Sequence, residues 1–233
     1  MKKRYFMVLL VTLACIVFGI GQKVQFPTNA PEGPVNQLSA DEKADGWVLL
    51  FNGSDLSGWE HDQGEWRVEN GMIVSSNGPG HLFTQNKYAD VEVEWDLCAY
   101  DIAVPKRRFG NSGVFLRAIK TGENYPQGYE VQVDPYDLKN PTGGIYGMAA
   151  GNLLVDGFGR WKQGAFFDVH EGKWIHQRAR IEGSRIQVWV NGEKTLDWTD
   201  PENRFAKPGY IALQNHHKTD VVLFSSIKLR ELK

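Results

Sequence analysis

Arg185-Ile-Gln-Val-Trp-Val190, followed by Asn191-Gly192, carries the most direct fold signal in the chain. Ile186, Val188 and Val190 alternate with Arg185, Gln187 and Trp189, so an extended strand here has one aliphatic face and one polar, aromatic face. Asn-Gly closes the strand because both residues tolerate the backbone of a tight hairpin. Glu182-Gly183-Ser184 is a second turn signal and joins this strand to Ile175–Glu182. Working outward, the same short alternations recur at Trp47–Phe51, Trp66–Val68, Met72–Val74, Tyr88–Ala99 and Gly113–Ile119. Gly128–Asp134, Tyr210–Gln214 and Val221–Glu231 complete the set, and Glu69-Asn70-Gly71 marks another hairpin. About ten strands in roughly 180 residues, with no internal repeat, predict an all-β sandwich or barrel. One short helix is expected at Leu38–Ala44, where Ser39-Ala40-Asp41-Glu42 fits a capping box.

The composition agrees. The chain has 233 residues, 42% of them hydrophobic and 12% aromatic, which excludes a wholly disordered protein. A net charge of -2 argues against a nucleic-acid binder that works by bulk electrostatics, and the short basic run Val104–Arg108 reads as a solvated loop. Lys2, Lys3 and Arg4 precede an apolar run from Phe6 to Ile20, and Gly19-Ile20-Gly21 places small residues at a cleavage site. Residues 1–21 are therefore expected to be a secretory signal; the run is short for a membrane span of roughly 20 residues. The minority alternative is a lipoprotein anchored through Cys15, for which Thr12-Leu13-Ala14-Cys15 is a poor lipobox. Cleavage after Gly21 leaves a net charge of -5 and Cys98 as the lone cysteine, with no intrachain disulfide and no stable membrane span. Gln22 to Gln37, with Pro27, Pro31, Gly33 and Pro34, reads as an extended linker, and residues 38–233 as one domain.

Period-two reading also assigns faces. Tyr129, Val131 and Val133 oppose Glu130, Gln132 and Asp134; Ile211 and Leu213 oppose Ala212, Gln214 and His216; Phe115, Arg117 and Ile119 share a face. A sheet with one dry side and one polar, aromatic side suits a carbohydrate, which offers hydroxyls to bond and C–H faces to stack on rings.

The ordered segments resemble a family. Trp47-Val-Leu-Leu-Phe-Asn-Gly-Ser-Asp-Leu-Ser-Gly-Trp59, Trp66-Arg-Val-Glu-Asn-Gly71, Asn111-Ser-Gly-Val-Phe-Leu-Arg117 and Gly128-Tyr-Glu-Val-Gln132 come first. Thr142-Gly-Gly-Ile-Tyr-Gly147, Val188-Trp-Val-Asn-Gly192 and Ile211-Ala-Leu-Gln-Asn-His216 follow in order. Over roughly Leu38 to Leu232 the chain resembles the bacterial 3-keto-disaccharide hydrolase domain family. The resemblance implies a concanavalin A-like jelly-roll sandwich, export to the periplasm or cell surface, and action on glycosides oxidised at C3. Two departures stand out: His217 where the family often has Gly, and Ser225-Ser226 where it often has Arg-Asn.

A ketone at C3 acidifies the C2–H, so a base can start elimination of the C1 substituent, and water then completes net hydrolysis. Glu130, His216 and Arg117 are the candidate catalytic groups, with Arg117 expected to hold the enolate oxygen. Gln132, Asp134, Tyr146, Trp189 and Gln214 are the candidate sugar-binding groups. A divalent metal ion on Glu130 and His216 is an alternative electrophile; His217 is expected to point to the opposite face. Trp47, Trp59, Trp66 and Trp95 are assigned to packing, and Asp134–Asp137 to a turn. Two rival readings remain: a non-catalytic carbohydrate-binding module, and a laminarinase-type retaining glycosidase. The last needs two carboxylates about 5–5.5 Å apart, whereas Glu130 and Asp134 have Cα atoms about 13 Å apart along a strand.

Overall fold

Aliphatic faces on many short strands can leave water only by facing one another, and the chain does this with two antiparallel sheets. The computed structural model describes residues 31, 35–101, 110–123, 125–134, 136–151 and 174–233. The expected signal segment, most of the expected linker and the basic run 104–108 lie outside the described residues. Helix α1 (Ala40–Ala44) begins at the expected capping box, in which the Glu42 backbone N–H donates to Ser39 and Glu42 answers on the Ser39 N–H. The strands are β1 (Val48–Leu49), β2 (Trp59–His61), β3 (Glu65–Glu69), β4 (Met72–Ser76), β5 (Gly80–Thr84), β6 (Val91–Asp101) and β7 (Ser112–Ile119). They continue as β8 (Gln127–Val133), β9 (Ile175–Glu182), β10 (Arg185–Val190), β11 (Glu193–Thr199), β12 (Tyr210–Asn215) and β13 (Asp220–Glu231).

The larger sheet runs β11-β10-β9-β6-β13-β4-β3, with β1 also paired to β13; the smaller runs β2-β5-β12-β7-β8. Trp95, Leu97, Tyr129, Val131, Ile186 and Phe224 meet between them in one core. Turn chemistry matches the sequence reading: Asn70-Gly71 and Asn191-Gly192 both take positive φ at their hairpins. The four tryptophans assigned to packing are all buried.

Three strands were not expected. β2 is only three residues long, β5 follows Gly78-Pro79 and is buried on both faces, and β11 is a polar edge strand. None of them offers a clean alternation, so period-two reading passes over them.

Two bulges matter. One lies in β7 between Leu116 and Ile119, with Arg117 at φ 52°; the other lies in β13 between Ser225 and Lys228, with Ser226 at φ 52°. At the second, the Ser226 N–H donates to Asn36 Oδ1 at 2.9 Å, and Asn36 Nδ2 donates to the Gly71 carbonyl at 2.7 Å. The end of the expected linker is thus pinned across the β13 bulge. Serine pays a steric cost in this left-handed region that asparagine largely avoids. Ser226→Asn is therefore expected to raise the unfolding free energy by about 0.5–1 kcal/mol in a urea titration.

Candidate functional site

β8 puts Tyr129, Val131 and Val133 into the core, which turns Glu130 and Gln132 to the other face of the smaller sheet. Register then lines up their neighbours. Glu130 lies opposite Phe115, Phe115 opposite Ala212, and Ala212 opposite Phe83. In the next row Gln132 lies opposite Gly113, and Gln214 opposite His81. Because Leu213 pairs with Val114, Gln214 also falls beside Gly113. Gly113 is what lets the carboxyl lie flat: a Cβ there would sit 2.5 Å from Glu130 Oε1. The Glu130 side chain therefore crosses above Gly113 toward Gln214.

Of these, Phe115, Glu130, Gln132 and Gln214 line the floor of a cavity of about 390 Å³. Glu130, Gln132, Gln214 and His216 supply its polar atoms; Phe115, Tyr125, Tyr146, Met148 and Phe205 supply apolar walls. Tyr125 and Tyr146 are exposed at the mouth. Tyr146 is placed by the segment after β8, where its N–H donates to the Glu130 carbonyl at 3.0 Å. Volume and lining both suit a small polar ligand with apolar faces.

Burial sets the ionisation. Desolvation pushes the Glu130 carboxyl up to about 8, and its polar neighbour, the Gln214 amide, only partly opposes this. Desolvation, helped by His217 and His81, pulls the His216 imidazole down to about 4. At neutral pH the floor thus holds a largely protonated carboxyl beside a neutral imidazole. Three lining residues hold a buried polar atom with no hydrogen-bond partner, Gln132 Oε1, Gln214 Oε1 and His216 Nδ1, and so does His81, opposite Gln214, at Nε2. Unpaired buried acceptors are costly and rare. Three of them on one cavity make it the candidate ligand site.

Five of the eight sequence-derived candidates meet here: Glu130, His216, Gln132, Gln214 and Tyr146. Three lie elsewhere. Arg117 does not share a face with Phe115 and Ile119, because the bulge and its left-handed φ turn it over. Its guanidinium is buried and donates to the Ala89 and Phe205 carbonyls (both 2.9 Å) and to Asp90 (2.8 Å), tying three segments together. Asp134 caps the expected turn, accepting from the Tyr136 and Asp137 N–H groups, and also accepts from Asn111. Trp189 sits on β10 in the other sheet, with the Arg178 guanidinium 3.9 Å from its ring centre. His217 does not point away from His216: β12 ends at Asn215, and the two rings meet edge-on at 4.1 Å. Among the described residues no three His, Cys, Asp or Glu side chains gather as a metal-ligand set. Glu130 and His216 alone offer two donors, fewer than the three or four protein ligands of a zinc site. Sequence reading missed Tyr125, Phe205, Met148 and Phe115, which no short motif marks.

A β-sandwich with this cavity on the outer face of its smaller sheet is a carbohydrate-handling scaffold. Residues 46–230 match the 3-keto-α-glucoside-1,2-lyase-like domain, and the chain belongs to that family. No curated protein matches the chain in sequence. Among solved structures, a candidate glycosyl hydrolase from Parabacteroides distasonis is similar, with 23% identity, TM-score 0.68, and 86% of this chain and 100% of that chain covered. A second one from the same organism has 25% identity, TM-score 0.55 and coverages of 80% and 84%. The carbohydrate-binding module CBM66 from Bacillus subtilis shares the fold at 18% identity, TM-score 0.53 and coverages of 75% and 96%.

Two outcomes are expected. Arg117→Lys should lower the unfolding free energy by about 2 kcal/mol in urea, since an ammonium cannot make three divergent bonds. The second concerns pH. Glu130 titrates near 4.5 unfolded and about 8 folded, so its stabilising contribution is complete below about 4.5 and is lost as pH rises to about 8. Asp220, raised to about 7 by burial and by Asp101, adds the same sign between about 3.8 and 7. Stability measured from pH 5 to 8 should therefore fall, and Glu130→Gln should flatten the fall by up to about 1.4 kcal/mol per pH unit.

Proposed function

We propose that this protein is an exported enzyme that cleaves 3-keto-glycosides by elimination and hydration. The observation that carries the reading is the Glu130 carboxyl, desolvated to a pKa of about 8 on the floor of a cavity with aromatic walls. A carboxylate raised to that range is a stronger base than an ordinary one and is matched to working pH. Ionised Glu130 takes the proton from C2, and the C–H electrons pass into the C2–C3 bond, leaving an enolate on the C3 oxygen. The enolate then expels the C1 substituent, whose oxygen takes the proton back from Glu130. Water adds its oxygen to C1 and a proton to C2 of the resulting enone, restoring a 3-keto sugar. The Gln132 and Gln214 amides are the neutral groups placed to bond the ring, in the absence of the Arg117 cation from the floor. Tyr125 and Tyr146 at the mouth offer faces to the sugar or to its leaving group. Export, to the periplasm or cell surface, rests on the basic and apolar pattern of residues 1–21.

The exposed Tyr125 and Tyr146 also favour a second reading, sugar binding without turnover. Incubating purified protein with a 3-keto-glucoside and its unoxidised parent separates the two. The enzyme reading expects aglycone release from the keto sugar alone. Release should rise with pH through about 8 as Glu130 ionises, and Glu130→Gln should lower kcat by about 10²–10⁴-fold. Binding of the keto sugar without release at any pH would leave the binding module.

A further inference from the structure

His81 is a fully buried imidazole that the proposed reaction does not use. It lies on β5, two strands beyond Gly113 in the row that carries Gln132 and Gln214. Its Nδ1 meets Asp62 Oδ2 at 3.3 Å, and Asp62 Oδ1 also accepts the His81 backbone N–H at 2.7 Å. Asp62 follows β2, the strand that edges the sheet next to β5. The carboxylate therefore fixes which ring nitrogen carries the proton and pins that nitrogen toward the sheet edge. The other nitrogen, Nε2, is on the far side of the ring from Asp62, and the neighbouring strand β12 places Gln214 opposite His81. Nε2 is buried and has no hydrogen-bond partner. The ring packs edge-on against Phe115 and Tyr125, both walls of the cavity, with centroids at 5.7 and 5.8 Å. Tyr125 in turn covers His216 at 5.6 Å.

We propose that His81, oriented by Asp62, is a substrate-binding residue of this pocket that accepts a ring hydroxyl at Nε2. This rests on the reading of the pocket as a sugar site and adds to it a specific contact. An imidazole held by a carboxylate at one nitrogen presents the other in a fixed direction. The bare atom is an acceptor, and so are the nearby Gln214 Oε1 and Gln132 Oε1. Such a row calls for a ligand that brings several O–H donors, and a sugar ring does so. His81 lies behind Phe115 and Tyr125 and is not itself among the lining residues, so a hydroxyl reaches Nε2 by displacing Tyr125, the exposed ring at the cavity mouth. His81 thereby fixes the ring's rotation over Glu130 by gripping a hydroxyl remote from the reacting carbons.

The test measures binding in the Glu130→Gln background, where turnover is suppressed. Titration calorimetry with a 3-keto-glucoside and its mono-deoxy analogues is repeated after adding His81→Phe. The added change is expected to weaken the parent about tenfold. One deoxy analogue should already bind about tenfold more weakly to the His81 protein and lose nothing further on His81→Phe. An equal loss for every analogue would mean a structural role and overturns the proposal. Should His81→Phe not fold, the ¹⁵N shift of His81 Nε2 in the unaltered-His81 protein decides. An upfield move on adding keto sugar supports the contact, and an unmoved resonance with the ligand bound overturns it. Failure of any keto sugar to bind would instead sink the sugar reading of the pocket, and this contact with it.

Discussion

Glu130 is held out of water by a sheet covered on both faces. On the inner side Tyr129, Val131 and Val133 pack into the core and fix the strand. On the outer side Phe115, Tyr125 and Tyr146 wall the carboxyl in. Gly113 removes the one side chain that would lift it away from the sheet. Desolvation is therefore built by the fold, and a charge would be costly there. The carboxyl answers by holding its proton to higher pH, which is the property the proposed chemistry needs.

The cavity floor is polar yet largely unsatisfied, and its open atoms face one volume. Several other buried polar groups are paired. Tyr129 donates to Asp200, Asp200 is clamped by Arg204, and Trp95 donates to Gln177. Arg117 belongs to this structural class, with bonds to two carbonyls and a carboxylate. At the floor the spare acceptors converge on one volume instead. Acceptors left open on the wall of a cavity are placed where a ligand can meet them.

Much of the site was legible because strands alternate strictly. Glu130 and Gln132 on one strand and Gln214 and His216 on another had to face the same way if their aliphatic neighbours faced the core. Arg117 obeyed the same pattern on paper and broke it in space. One residue with left-handed backbone changes the phase of a strand, and only Gly or Asn would have flagged it in the sequence. Trp189 shows a different limit. Its alternation was read correctly, but a pattern within a strand does not say to which sheet the strand belongs.

The sequence by itself determined the β class, the hairpins at Asn70-Gly71 and Asn191-Gly192, the capped helix and the dry face of each well-patterned strand. These depend on neighbours within a few residues, where φ/ψ preference and side-chain period act. Only the tertiary structure decided which strands lie side by side. That choice set Gln214 between Gly113 and His81, brought Tyr125 over both histidines and sent Arg117 and Trp189 away. Pairing between distant strands depends on how whole aliphatic faces fit together across the core, and no local stretch of chain contains that information.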